Sequence, residues 1–222
     1  MATDSPFGFV TLWEDFTRDN VTNLVETAAS SATQDVISRH GGWWRQVLAG
    51  DDADALCLAG ELAWEVDEGA PLIFETRLQT SVAASTSIFV GMSDANSDSV
   101  VIEDEDGTLN TVATDAFGFL LEGEQDATWQ RMGVQNDSDN TQAAFTGTTD
   151  AANSTTQTLR MEAYASSSGT VLYFIDGKLC GSGSPTSWFR SSIVYTFVLS
   201  SDDRGTAYNA DYDYVFVEAP RS

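Results

Sequence analysis

Strand-type runs recur along almost the whole chain, and helical periodicity is scarce. The runs are Gly8–Phe16, Asp35–Ser38, Trp43–Leu48, Ala55–Val66, Pro71–Gln79 and Thr86–Met92, then Phe117–Leu121, Gln130–Val134, Thr158–Ala163, Thr170–Ile175, Ser192–Leu199 and Asp211–Glu218. Each is rich in β-branched or aromatic residues and is bordered by Gly, Asn, Asp or Ser, the composition of strands separated by turns. Many short strands without interleaved helices predict a sandwich or a barrel. The one helix expected is Val21–Ala29, after Asp19 or Asn20 as a cap. A chain of 222 residues suits one domain, and no linker or internal repeat divides it. The expectation is a single domain over residues 1–222, with residues 1–8 as an N-terminal arm.

Several strands reveal their faces. Leu159, Met161 and Ala163 alternate with Arg160, Glu162 and Tyr164, which puts one face in the core and the other in water. In the last strand the same alternation assigns Tyr212, Tyr214 and Phe216 to one face and Asp211 and Asp213 to the other. Asp176-Gly177 between Phe174-Ile175 and Lys178-Leu179 is a type I′ hairpin signal, because both turn residues accept positive φ. Two polar stretches, Asp94–Thr114 and Asn136–Gln157, read as long surface loops.

Composition removes several function classes. Lys and Arg total 10 against 34 Asp and Glu, a formal net charge of −24. Binding to nucleic acid needs a basic footprint that displaces counterions, so no nucleic-acid partner is expected. A polybasic membrane-surface role is disfavoured for the same reason. With 42% hydrophobic and 11% aromatic residues the chain is too apolar for an acidic disordered tail. No segment approaches the roughly 18 uninterrupted apolar residues of a membrane span. The N-terminus MATDSPFGFV shows neither the basic nor the apolar region of a secretory signal.

The inventory of reactive groups is short. His40 is the single histidine, which rules out multi-histidine metal sites. No Gly-x-Ser-x-Gly elbow surrounds a serine. Cys57 and Cys180 could form one bridge, or remain two small thiols packed in strands. Glu65-Val66-Asp67-Glu68 is the one carboxylate cluster in a strand-like run. Alternation puts Glu65 and Asp67 on one face and Glu68 on the other, whereas a retaining glycosidase needs two carboxylates about 5–5.5 Å apart. The acidic residues Asp94, Asp98, Glu103, Asp104, Glu105, Asp106, Asp202 and Asp203 offer oxygen ligands for calcium, but none has the spacing of an EF-hand. They read as solvated loop residues, and no cofactor is expected. Trp13, Trp43, Trp44, Trp64, Trp129 and Trp188 supply core rings, with surplus for a surface. Trp43 and Trp44 cannot both face inward on one strand.

In order, Phe74-Glu75-x-Arg77, Phe89-Val90-Gly91-Met92-Ser93-Asp94, Phe117-Gly118-Phe119, Thr128-Trp129, Leu159-Arg160-Met161-Glu162, Tyr173-Phe174-Ile175-Asp176-Gly177-Lys178 and Tyr212-x-Tyr214-Val215 form a series. It resembles the concanavalin A-like lectin/glucanase jelly roll in the form found among tailed-phage virion proteins, from about Gly8 to Val217. The resemblance implies an all-β, two-sheet antiparallel jelly-roll sandwich with at most one or two short helices. The glucanase glutamate pair of that fold is missing, so the resemblance implies a non-enzymatic capsid decoration protein. Such a protein would bind the major capsid protein on the outside of the virion, would form a homo-oligomer (a trimer is favoured), and would be made in the host cytoplasm. The interface residues expected are Phe7, Phe9, Trp43, Trp44, Arg45, Trp188, Phe189 and Arg190. The alternative is a carbohydrate-binding module that takes glycans on exposed tryptophans, and last a glucanase-like glycoside hydrolase acting through Glu65 and Asp67.

Overall fold

The computed structural model describes residues 2–4, 9–17, 24–51, 54–61, 63–66, 71–96, 102–105, 108–123, 126–136, 138–145, 150–165, 170–183, 193–203 and 205–220. In chain order the strands are β1 (Ala2–Asp4), β2 (Phe9–Glu14), β3 (Val25–Ala29), β4 (Thr33–Ile37), β5 (Trp43–Leu48), β6 (Ala55–Ala59), β7 (Leu72–Thr80), β8 (Thr86–Ser93) and β9 (Ile102–Glu105). There follow β10 (Thr108–Thr111), β11 (Asp115–Glu122), β12 (Gln130–Gln135), β13 (Ser138–Ala144), β14 (Gln157–Tyr164), β15 (Thr170–Ile175), β16 (Lys178–Gly183), β17 (Thr196–Asp203) and β18 (Tyr208–Pro220). Among the described residues the only helical element is one 3₁₀ turn, Ala83–Ser85.

The strands form two antiparallel sheets packed as a jelly-roll-like sandwich. The nine-stranded sheet runs β1-β2-β18-β7-β14-β15-β16, and β5, with β4 outside it, pairs with the first half of β18. The seven-stranded sheet runs β13-β12-β11-β8-β17-β6-β3. Alternation fills the space between them. Phe74 and Leu78 of β7, Leu159 and Met161 of β14, and Tyr173 of β15 face Val90 and Met92 of β8, Phe117 and Phe119 of β11, and Phe197 and Leu199 of β17. Phe119 meets Tyr173 edge-on at 5.1 Å between ring centroids, a favourable quadrupole geometry. Polar tips crossing the core find partners. The Tyr208 hydroxyl lies 2.8 and 2.7 Å from the carbonyls of Ser87 and Asp202 on the opposite sheet. Gln46 Nε2 donates to the Leu199 carbonyl at 3.0 Å.

The hairpin at Asp176-Gly177 forms as expected, with φ of 51° and 74° and Ile175 opposite Lys178. Three expectations are corrected. Val25–Ala29 is a strand, with residues 21–23 outside the described residues. Its Val25 and Thr27 alternate with exposed Glu26 and Ala28, and pairing to β6 overrides any local helix preference. The two polar stretches also contain strands. Within Asp94–Thr114, β9 and β10 pair as a hairpin, and Asn136–Gln157 begins with β13, an edge strand on β12. Backbone pairing specifies such edges, so their composition carries little apolar signal.

Cys57 and Cys180 are both buried and form no disulfide, on β6 and β16 of different sheets. Gly91 and Gly118 are cross-strand partners. A Cβ at Gly118 would sit 2.4 Å from the Val90 carbonyl oxygen and 2.7 Å from the Phe89 ring, so this spot admits no side chain.

Asp54 joins the two sheets at one corner. Its carboxylate accepts from the Ser31 amide at 2.8 Å, the Ser31 hydroxyl at 2.9 Å and the Ala49 amide at 2.7 Å. Those residues lie on the crossings from β3 to β4 and from β5 to β6. Burial opposes the charged form, but these hydrogen bonds outweigh it and hold the Asp54 pKa below its ordinary value. Its contribution to stability is therefore full above the unfolded-chain value of about 3.9 and declines as the pH falls from there through the lower folded value. Asp54→Ala should lower stability at pH 7 by about 2–3 kcal/mol in urea titrations, because two amides lose their acceptor. The difference from wild type should narrow towards pH 3.

Candidate functional site

The outer faces of the two sheets differ. On the seven-stranded sheet the outward residues Ser87, Phe89, Leu120, Glu122, Met132, Val198 and Asp202 are all buried, the last at 6% exposure. On the nine-stranded sheet an aromatic and charged band is open to solvent, and it begins with a β-bulge. The register of β18 against β7 shifts between Tyr212 and Tyr214. Asp213 is the extra residue, and it reverses the parity of everything after it. Tyr212 faces the core, whereas Tyr214 and Phe216 face outward beside Trp13 of β2. This corrects the simple alternation read from the sequence, in which Tyr212, Tyr214 and Phe216 shared a face opposite Asp211 and Asp213.

Trp13 is 52% exposed and lies nearly flat on Tyr214, with centroids 4.8 Å apart and planes 16° from parallel. One indole face is thus occupied and the other is presented to solvent. Arg77 of β7 lies over the Tyr214 ring at 5.8 Å and over Trp43 of β5 at 5.9 Å. Arg39 caps Trp43 at 5.1 Å. Aromatic rings and guanidinium planes therefore alternate across four neighbouring strands, each contact a favourable cation–π or stacking geometry.

A hydrogen-bonded cluster borders this band. Glu75 and Arg160 are cross-strand partners on β7 and β14. The Arg160 guanidinium donates to Glu75 at 3.3 Å and to Glu162 at 2.9 and 3.0 Å. Tyr214 donates to Glu75 at 2.6 Å and Tyr164 to Glu162 at 2.8 Å. Burial and the Glu75 hydrogen bond raise the Tyr214 pKa, while the Glu162 hydrogen bond and burial raise that of Tyr164. Both phenols remain donors at ordinary pH. Burial would lower the pKa of Arg160, but the bonds to Glu162 and Glu75 prevail and raise it. Beside this cluster, Asp211 takes a two-pronged contact from Arg45 at 2.6 and 2.8 Å, with Arg39 at 3.3 Å and Gln79 at 3.2 Å. Asp213 pairs with Arg77.

The residues singled out from sequence are scattered over the fold. Phe7, Trp188, Phe189 and Arg190 lie outside the described residues. Phe9 is half-buried at the start of β2, opposite Pro220. Trp44 is a core residue, and Trp43, on the outer face, is covered by the two arginines to 8% exposure. Arg45 is engaged by Asp211. Glu65 is exposed beyond the end of β6, next to the Trp64–Tyr195 bridge, and Asp67 and Glu68 lie outside the described residues. Asp94 caps the start of β11 by accepting from the amides of Thr114 and Asp115, each at 3.1 Å. Among the described residues no group of three or more His, Cys, Asp or Glu converges as a metal site would. Likewise no helix among them is long and apolar enough to cross a membrane. The sequence reading passed over Trp13, Glu75, Arg77, Arg160, Glu162 and Tyr214 as a group. The signal available was the outward alternation of Arg160, Glu162 and Tyr164, and the bulge hid the rest.

No family model matches the chain, and no curated protein matches its sequence. Solved structures do match its fold. An endo-1,3-beta-glucanase from Streptomyces sioyaensis superposes with a TM-score of 0.63 at 12% identity, over 98% of this chain and 99% of that one. The carbohydrate recognition domain of Emp47p gives 0.62 at 12% identity, over 97% and 98%. A carbohydrate esterase from the Shiga toxin-encoding bacteriophage phi24B gives 0.57 at 17% identity, over 91% and 93%. The likeness establishes the concanavalin A-like jelly-roll fold. It also corrects the expectation of a capsid decoration protein on the virion and of a non-enzyme. The three proteins named above, which share this fold over nearly the whole chain, are two carbohydrate-active enzymes and a carbohydrate recognition domain, not virion structural proteins.

The Asp211 cluster ties β18 to β5 through Arg45 and to β7 through Gln79, the strands that carry Trp43 and Arg77. Asp211→Ala removes the acceptor of Arg45, and unfolding in urea should show a loss of about 1.5–3 kcal/mol.

Proposed function

We propose that the chain is a carbohydrate-binding β-sandwich that engages glycans on the outer face of its nine-stranded sheet. The observation that carries this reading is the open face of Trp13, held flat by Tyr214 and bordered by the Glu75–Arg160–Glu162 cluster. A pyranose ring has an apolar C–H face and a rim of hydroxyls. The first suits a flat indole, and the second suits side chains that accept and donate within one plane. Few, well-placed polar groups around aromatic surface are the usual make-up of small-molecule sites. The folds that resemble this one in the glucanase and in the Emp47p recognition domain support the same class of ligand.

Hydrolysis of the bound glycan is a second reading. Glu75 and Glu162 favour it, because they lie on one partly open face and share one guanidinium, and glycosidases act through a carboxylate pair flanking the scissile bond. A ligand would have to draw Arg160 aside before either glutamate could exchange a proton with it. Release of reducing ends from a bound glycan, lost in Glu75→Gln and in Glu162→Gln, would establish this reading. Binding without product after prolonged incubation would remove it.

Trp13→Ala should weaken glycan binding by about tenfold to a hundredfold in titration calorimetry, the range of an interfacial tryptophan worth about 1.4–2.8 kcal/mol. Its melting temperature should stay within a few degrees of wild type, since half of the ring is already in water. Unchanged affinity for every glycan that binds would exclude this face as the site.

A further inference from the structure

We infer that the ligand of this face is a neutral glycan, a polymer of uncharged hexopyranoses, and not a uronate or sulfated polysaccharide. The inference rests on the carbohydrate-binding reading and adds the chemical class. It starts from how the positive charge is used. The chain has ten Lys and Arg in all. Arg39, Arg45, Arg77 and Arg160, all of them on this one face, are each engaged by a carboxylate. Arg39 and Arg45 share Asp211, Arg77 pairs with Asp213, and Arg160 spans Glu75 and Glu162. Four guanidiniums thus meet four carboxylates, and these ion pairs are balanced among themselves.

An anionic polymer would need bare cations at the spacing of its charges. Here each guanidinium it approached is already compensated by a carboxylate that would repel the incoming charge. It would also approach a molecule of formal charge −24, whose long-range field repels it. A neutral sugar meets neither obstacle. Hydroxyl groups can bond to the outer lone pairs of Glu75 and Glu162 and to the remaining Arg160 N–H groups while the ion pairs stay in place. The open indole face of Trp13 suits any pyranose that can turn one face free of axial hydroxyls towards it, since the C–H groups of that face lie flat on the ring. The aromatic platform thus favours a pyranose, and charge compensation with the net charge favours an uncharged one.

The test compares a neutral mixed-linkage β-glucan with polygalacturonate and dextran sulfate in affinity electrophoresis at low salt and in about 1 M salt, where the screening length is about 3 Å. Wild type should be retarded by the neutral polymer equally at both salt concentrations, and Trp13→Ala should not be retarded. Retardation by polygalacturonate or dextran sulfate as strong as by the neutral glucan would overturn the inference and leave carbohydrate binding standing. Retardation by none of the three polymers would overturn the carbohydrate-binding reading itself, and the inference with it. Asp213→Asn frees Arg77 without removing a guanidinium, and its melting curve reports whether it is folded. The folded variant should gain about tenfold or more in retardation by dextran sulfate at low salt, and lose it in high salt. A folded Asp213→Asn that gains nothing would show that the ion pair does not set the charge preference, and would overturn the argument from compensation.

Discussion

The backbone pairing of β18 is the constraint on which the rest of the molecule depends. Its thirteen residues bond on one side to β5 and then to β2, and on the other to β7 along most of its length. Among the described residues no other strand holds three neighbours. The step at Asp213 is what allows this, since the strand changes partner near the place where it changes parity. Before the step the core receives Tyr208, Ala210 and Tyr212, and after it Val215 and Val217. The same step turns Tyr214 outward under Trp13 and leaves Asp213 to hold Arg77. Core packing and the outer aromatic band are consequences of one inserted residue.

The two outer faces divide the tasks of the sandwich. On the seven-stranded side the glycine pair Gly91 and Gly118 lets Phe89 lie close against the backbone, and the whole row is shut from water. On the nine-stranded side the four arginines of the band are at least partly accessible and each is already engaged by a carboxylate. Such a surface is preorganised: its side chains lose little freedom when a ligand arrives, because ion pairs and ring stacks have fixed their rotamers in advance. The chain is strongly acidic, but within the ion pairs of this band positive and negative groups interlock.

Much of the fold was legible in the sequence, because alternation and turn chemistry are local. Leu159–Tyr164 gave its two faces correctly, Asp176-Gly177 its turn, and Trp43-Trp44 the fact that one ring must leave the core. What was not legible depended on partners distant in sequence. The parity of Tyr214 follows from the register with β7, about 140 residues away, and no local pattern announces an extra residue there. Val25–Ala29 carries residues at home in a helix and is a strand because β6 lies beside it. The site was obscured for the same reason: Trp13, Glu75, Arg160 and Tyr214 come from four strands and meet only in the sheet. The likeness of motif to phage virion proteins located the fold and misdirected the role, since one sandwich carries many functions.

Cys57 and Cys180 lie sealed in separate parts of the fold with no bond between them. A sandwich whose cohesion comes from interlocking rings, with its thiols out of reach of oxidants, gains nothing from an oxidising environment and loses nothing in a reducing one. Its folded state therefore holds no disulfide for a reductant to break, and its stability does not depend on the thiol–disulfide poise of its surroundings.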